Sequence, residues 1–223
     1  PSPLTGPDGS DITEPAQWEE QREHLKGLLQ EYVYGPRPDY RLERAECYRS
    51  YPDDRVDDQA VTELYSVYYG GGRKFAMRIT RPDDGKAHPV IMRYESVAGW
   101  RFPIEPEAVG SGRYLIVSIN HNDMFPDEDA PTSEHMTETK AIMAWACGAS
   151  LAIDYLEQYP YADTGSILLT GHSRTGKAVI CAAAFDERIS AAVPNSSGAA
   201  GASGFRTFGD KGSQNIGIAE QEP

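Results

Sequence analysis

Apolar positions along this chain change their spacing three times, and each change predicts a different kind of element. From Pro15 to Tyr34 the residues Trp18, Leu25, Leu28, Leu29, Tyr32 and Val33 recur at helical spacing, and Gly35-Pro36 stops the run. This predicts an amphipathic helix. Two strand-like runs follow, Val61 to Tyr69 and Lys74 to Thr80. The second alternates Phe75, Met77 and Ile79 with polar neighbours, and Gly70-Gly71-Gly72 between the runs predicts a hairpin. Beyond them come continuous apolar strands separated by longer segments: His88 to Tyr94, Tyr114 to Ile119, a helix from about Glu138 to Tyr159, then Ser166 to Thr170. A helix from Arg174 to Phe185 and a short strand from Ala191 to Pro194 complete the pattern. Strands without clean alternation, spaced by helices, predict an α/β fold: a mostly parallel sheet covered by helices on both faces.

Composition narrows the function classes. Residues 1–14, rich in Pro, Gly, Ser and Asp, read as a flexible leader, and 15–223 as one catalytic-type domain. With 34 acidic against 21 basic residues the formal charge is −13, which would repel nucleic-acid phosphates and anionic membranes. No apolar stretch is long and unbroken enough for a bilayer span. Cys47, Cys147 and Cys181 are widely spaced, form no CxxC and stand in no ligand rhythm with histidine. They read as small buried hydrophobes, and no metal or cofactor is predicted.

One segment carries chemistry: Ile167-Leu-Leu-Thr-Gly171-His-Ser173-Arg174-Thr-Gly176-Lys177-Ala. It reads as strand, sharp turn, helix. In a nucleophile elbow a serine occupies a strained turn flanked by small residues, and its hydroxyl projects at a helix N-terminus whose free N–H groups can receive an oxyanion. Gly171 stands two before Ser173, but Thr175 takes the place of the second glycine and Gly176 comes one later. Two alternatives share these residues. Gly171 to Ala178 is one hydroxyl short of a phosphate-binding loop; Ala178 has no oxygen for Mg²⁺, and no later strand ends in an aspartate to hold that metal. A purely structural glycine turn is the other.

The same residues resemble the glucuronoyl esterases, carbohydrate esterase family 15, whose elbow has the form G-x-S-R-x-G-K. Met143-Ala-Trp145-Ala-Cys-Gly148 with Ile153-Asp154, Phe185-Asp-Glu-Arg188-Ile, Ser197-Gly198 and a helix ending in Tyr34-Gly35 extend the likeness over most of 15–223. The resemblance implies an α/β-hydrolase lacking its last strands. It implies a serine carboxylic-ester hydrolase acting on a carbohydrate ester, 4-O-methyl-glucuronoyl esters first, through an acyl-enzyme on Ser173. Arg174 would stabilise the oxyanion with its backbone N–H and guanidinium, and Lys177 would bond the hydroxyls of a glucuronate ring. On residues alone, Arg174 and Lys177 also fit a solvated helix face. An acetyl xylan esterase or other acyl hydrolase, or a non-catalytic carbohydrate-binding relative or inert fragment, fits the same elbow. The resemblance leans toward a secreted or periplasmic location.

Two departures shape the expectation. Fungal members carry a catalytic glutamate in P-Q-E-S-G, where this chain has Pro194-Asn195-Ser196-Ser197-Gly198. The family's catalytic histidine follows the elbow, whereas the five histidines here are His24, His88, His121, His135 and His172. Acid and base are therefore expected beyond Pro223. A sheet without its last strands would expose an apolar edge, so self-association, or association with a C-terminal part, is expected.

Overall fold

In a computed structural model, residues 2–57, 59–95, 104–127 and 129–203 are described. Seven strands form one sheet: β1 (Leu42–Pro52), β2 (Ala60–Tyr69), β3 (Arg73–Pro82), β4 (His88–Tyr94), β5 (Leu115–Ile119), β6 (Ala162–His172) and β7 (Ala191–Asn195). Their spatial order is β1-β2-β3-β5-β4-β6-β7. β1, β2, β3 and β5 pair antiparallel in turn, and β5-β4, β4-β6 and β6-β7 pair parallel. Five strands, β2 and β4 to β7, thus run the same way. This is the antiparallel entry and parallel body of an α/β-hydrolase sheet.

The hairpin register follows from its three glycines. Tyr69 pairs with Arg73, leaving Gly70, Gly71 and Gly72 as the loop, and all three have positive φ. Helices α1 (Pro15–Leu29), α3 (Ala141–Leu156) and α4 (Arg174–Phe185) are joined by a short α2 (Glu105–Ala108) between β4 and β5. α3 packs on α4 and under the sheet, and its face from Ala141 to Ile153 is almost entirely buried. Its small residues allow close approach: a Cβ on Gly148 would overlap the sulfur of Met124, a fully buried side chain in the loop after β5.

Several boundaries differ from expectation for physical reasons. The predicted N-terminal helix is α only to Leu29; Gln30–Tyr34 widen into a π-helical turn. Its apolar stripe is less buried than its period predicts, with Tyr32 at 69% exposure, because α1 lies on the surface and only Leu29, Val33 and Tyr34 reach the core. Strand β1 escaped the reading, since its positions are mostly exposed and carry charge where a buried strand carries Val or Ile. Cys147 and Cys181 are buried as expected, but Cys47 lies exposed on β1.

Candidate active site

Ser173 sits at the junction of β6 and α4 with φ 57° and ψ −121°. For a residue with a Cβ this is a strained conformation, held here by its surroundings. Its N–H donates to the Asn195 carbonyl on β7 at 2.9 Å, and its carbonyl accepts from the Lys177 N–H at 3.2 Å. The half-buried side chain thus projects at the carboxyl edge of the parallel strands, at the start of a helix with free N–H groups.

The displaced glycine has a steric cause. A Cβ on Gly176 would stand 2.9 Å from the Asn195 carbonyl oxygen, so it is β7 that demands a bare position there. A Cβ on Gly171 would meet the Thr175 carbonyl oxygen at 2.7 Å. Thr175, in the place usual for the second glycine, braces the turn: its hydroxyl accepts from the His172 N–H at 2.9 Å and donates to the His172 carbonyl at 2.8 Å.

Arg174 and Lys177, which sequence alone left between function and a solvated face, are not a solvated face. Lys177 is buried at 7% exposure beneath the elbow. Arg174 reaches across to the acidic loop after β5. Its Nη1 lies 2.9 Å from Asp127 Oδ1 and donates to the Asp127 carbonyl at 3.0 Å. In the sequence that loop is the acidic run Asp123 to Asp129, of which Glu128 lies outside the described residues.

The histidines divide by position. His24 lies on α1; His88 bonds Asp84 at 2.9 Å; His135 pairs with Thr132. His172 is exposed on the elbow. His121 follows β5 at the active edge, its ring edge-on to Trp145 at 4.8 Å. Burial pushes its pKa down, with Asp127 pulling it up and Arg174 adding to the depression. Ser196 stands where fungal relatives place glutamate, and its hydroxyl donates to the Asn195 side chain at 3.0 Å. Burial pushes the Cys147 thiol up to about 11 and Cys181 higher still, so neither is a ready nucleophile. No group of three metal-ligating side chains occurs among the described residues, and no helix there is long and apolar enough to cross a membrane.

The flanks are tied to the site. Tyr34, at the end of the N-terminal helical run, donates its hydroxyl to the Ala200 carbonyl at 2.7 Å, fixing the segment after β7. The Trp145 indole donates to the Phe125 carbonyl at 2.8 Å. The Tyr-Gly and A-W-A-C-G signatures thus act by holding the two loops that border Ser173.

The chain is 28% identical to a 4-O-methyl-glucuronoyl methylesterase of Schizophyllum commune, over 90% of this chain and 50% of that protein. It spans about half the length of the curated relatives it matches. A CE15 glucuronoyl esterase from Caldicellulosiruptor kristjansonii superposes with a TM-score of 0.72 at 28% identity, covering 92% of this chain and 57% of that one. A promiscuous CE15 esterase from a marine bacterial metagenome shares the fold, with a TM-score of 0.76 at 23% identity over 90% of this chain and 64% of that one. The family described as fungal glucuronyl esterase matches residues 69–222, which include the elbow, the loop after β5 and α3, and this chain belongs to it.

Proposed function

We propose that this chain carries the nucleophile-bearing part of a serine carboxylic-ester hydrolase acting on 4-O-methyl-glucuronoyl esters. The observation that carries the reading is the strained Ser173 at the strand-to-helix turn, with a cation directly beside it, in a chain of this family. Ser173 Oγ attacks the ester carbonyl, the tetrahedral oxyanion collapses, and the alcohol leaves an acyl-enzyme that water then hydrolyses. The α4 N-terminus and Arg174, through its N–H and guanidinium, stabilise the oxyanion. Lys177, one turn along α4, contacts hydroxyls of the uronate ring. Neither His172, exposed on the elbow, nor His121, packed edge-on against Trp145, is assigned as the proton acceptor for Ser173. No metal takes part.

Hydrolysis of benzyl glucuronate by the protein and its Ser173→Ala variant tests this. Loss of about 10³-fold or more in kcat is expected, the scale seen when a catalytic serine is removed. An unaltered rate in the variant would overturn the assignment of Ser173. Equal turnover of a plain acetyl ester would favour the broader acyl-hydrolase reading.

A further inference from the structure

The loop between β5 and α3 is fixed far more firmly than a surface loop needs. Asn120 Nδ2 donates to Asp123 Oδ1 at 2.8 Å, and Asp123 Oδ2 accepts the Ala76 N–H from β3 at 2.7 Å. Met124 is fully buried against Gly148, its carbonyl accepts from Met136, and the Trp145 indole holds Phe125. The Asp127 N–H is held by Asn122 Oδ1 at 3.0 Å. These anchors end at Asp127, whose backbone carbonyl accepts a hydrogen bond from the guanidinium of the residue next to the nucleophile and whose carboxylate lies in ion-pair contact with it.

We propose that Asp127 is a positioning residue for catalysis: it holds the Arg174 guanidinium in one place before the oxyanion forms. This rests on the reading of Ser173 as nucleophile and Arg174 as its oxyanion partner. Arginine is a long, flexible side chain, and a site that already holds it does not have to immobilise it during the reaction. The carboxylate also offsets part of the cation's charge, but both groups are about one-third exposed and water screens that effect. Position therefore dominates.

The test compares Asp127→Ala, Asp127→Asn and Arg174→Ala, alone and combined, on benzyl glucuronate. Asp127→Ala should lower kcat about 10- to 50-fold, below the loss from removing an oxyanion donor itself, with KM changed less than about twofold. In the Arg174→Ala background the same change should cost less than about twofold, because the two act as one unit. Asp127→Asn keeps the shape but not the charge of the ion pair and should fall between wild type and alanine. A gain in kcat from Asp127→Asn, an Asp127→Ala loss equal in both backgrounds, or wild-type kcat in Asp127→Ala would overturn the proposal.

A second readout needs no turnover: the Arg174 guanidinium Nη–Hη nuclear magnetic resonance, assigned by its disappearance in Arg174→Lys. It should be dispersed in the wild type and collapse toward the free-arginine position in Asp127→Ala. An unmoved resonance overturns the proposal even in a protein that hydrolyses nothing. An unimpaired Ser173→Ala variant would instead sink the nucleophile reading, leaving this measurement to decide whether Asp127 holds Arg174.

Discussion

The two faces of the sheet are held by different physics. On the α3 side, Phe75, Met77, Ile79, Val90, Met92, Leu115, Val117, Ile119, Ile167 and Leu169 all belong to one buried apolar core. On the α2 side, among the described residues, the alternate residues of the same strands form a small apolar cluster around Ile116, with a buried polar row beside it. Arg78 and Arg93 flank Ser118 in register across β3, β5 and β4. Arg78 Nη2 lies 2.9 Å from Glu95 and 3.1 Å from Glu105; Arg93 Nη2 lies 2.6 Å and 2.5 Å from the same two carboxylates. Further out, the Thr62 hydroxyl meets Thr80 and Asp53, each at 2.9 Å. Among the described residues, the helix of four residues covers little of this face with apolar side chains, and paired charges fill it instead. A paired, buried lattice adds little net stability, yet it is costly to break, whereas an apolar core loses stability in proportion to what is removed.

That asymmetry sets the order of expected effects. Glu105→Ala removes a fully buried carboxylate shared by two arginines and should cost about 3–5 kcal/mol, read as a fall in denaturation midpoint. Glu105→Gln keeps an acceptor and should cost clearly less. If the alanine variant were as stable as wild type, the lattice would not be what closes this face. Next comes Met92→Ala, on the central strand between Val117 and Leu169, expected at about 2–4 kcal/mol from lost transfer energy plus a cavity. A small-to-large change that refills the cavity should restore part of the loss on the apolar face, and no such rescue should exist for Glu105.

The apolar face was legible in the sequence because hydrophobic period reports burial directly, and β4, β5, β6 and α4 fell within a few residues of their expected bounds. The polar face was not. Arg78, Arg93 and Glu105 read as ordinary charged residues, because nothing in a sequence distinguishes a charge in water from one whose partners arrive from strands far apart in the chain. The same gap hid the partners of the elbow. Gly171 and Ser173 were visible, since a strained turn demands small neighbours. Thr175 as a brace, Lys177 as a buried cation and Asp127 as the grip on Arg174 depend on contacts that spacing does not encode.

The smallest effect concerns charges at the rim of the apolar face. Arg188 bonds Asp186 through Nε at 2.9 Å and Nη2 at 2.8 Å, and reaches Asp154 on α3 at 2.8 Å, tying the end of α4 to α3. Burial raises the Asp186 pKa, but the bonds from Arg188 and the Ser150 hydroxyl outweigh it and bring it down from 3.8 to about 2. The folded form therefore binds its proton less readily than the unfolded chain. The stabilisation is fully present above about pH 4 and is lost as pH falls through about 2, amounting to about 1–2 kcal/mol after allowing for the partly exposed arginine. Asp84, held near 2 by His88 and the Lys86 backbone, titrates in the same window. The measurement is accordingly the difference between wild type and Asp186→Asn in melting temperature at pH 7, 4 and 2. A gap that narrows toward pH 2 makes the ion pair a real contributor at the rim. A constant gap would mean that the α3 face is held by apolar burial alone, which would make the contrast between the two faces sharper still.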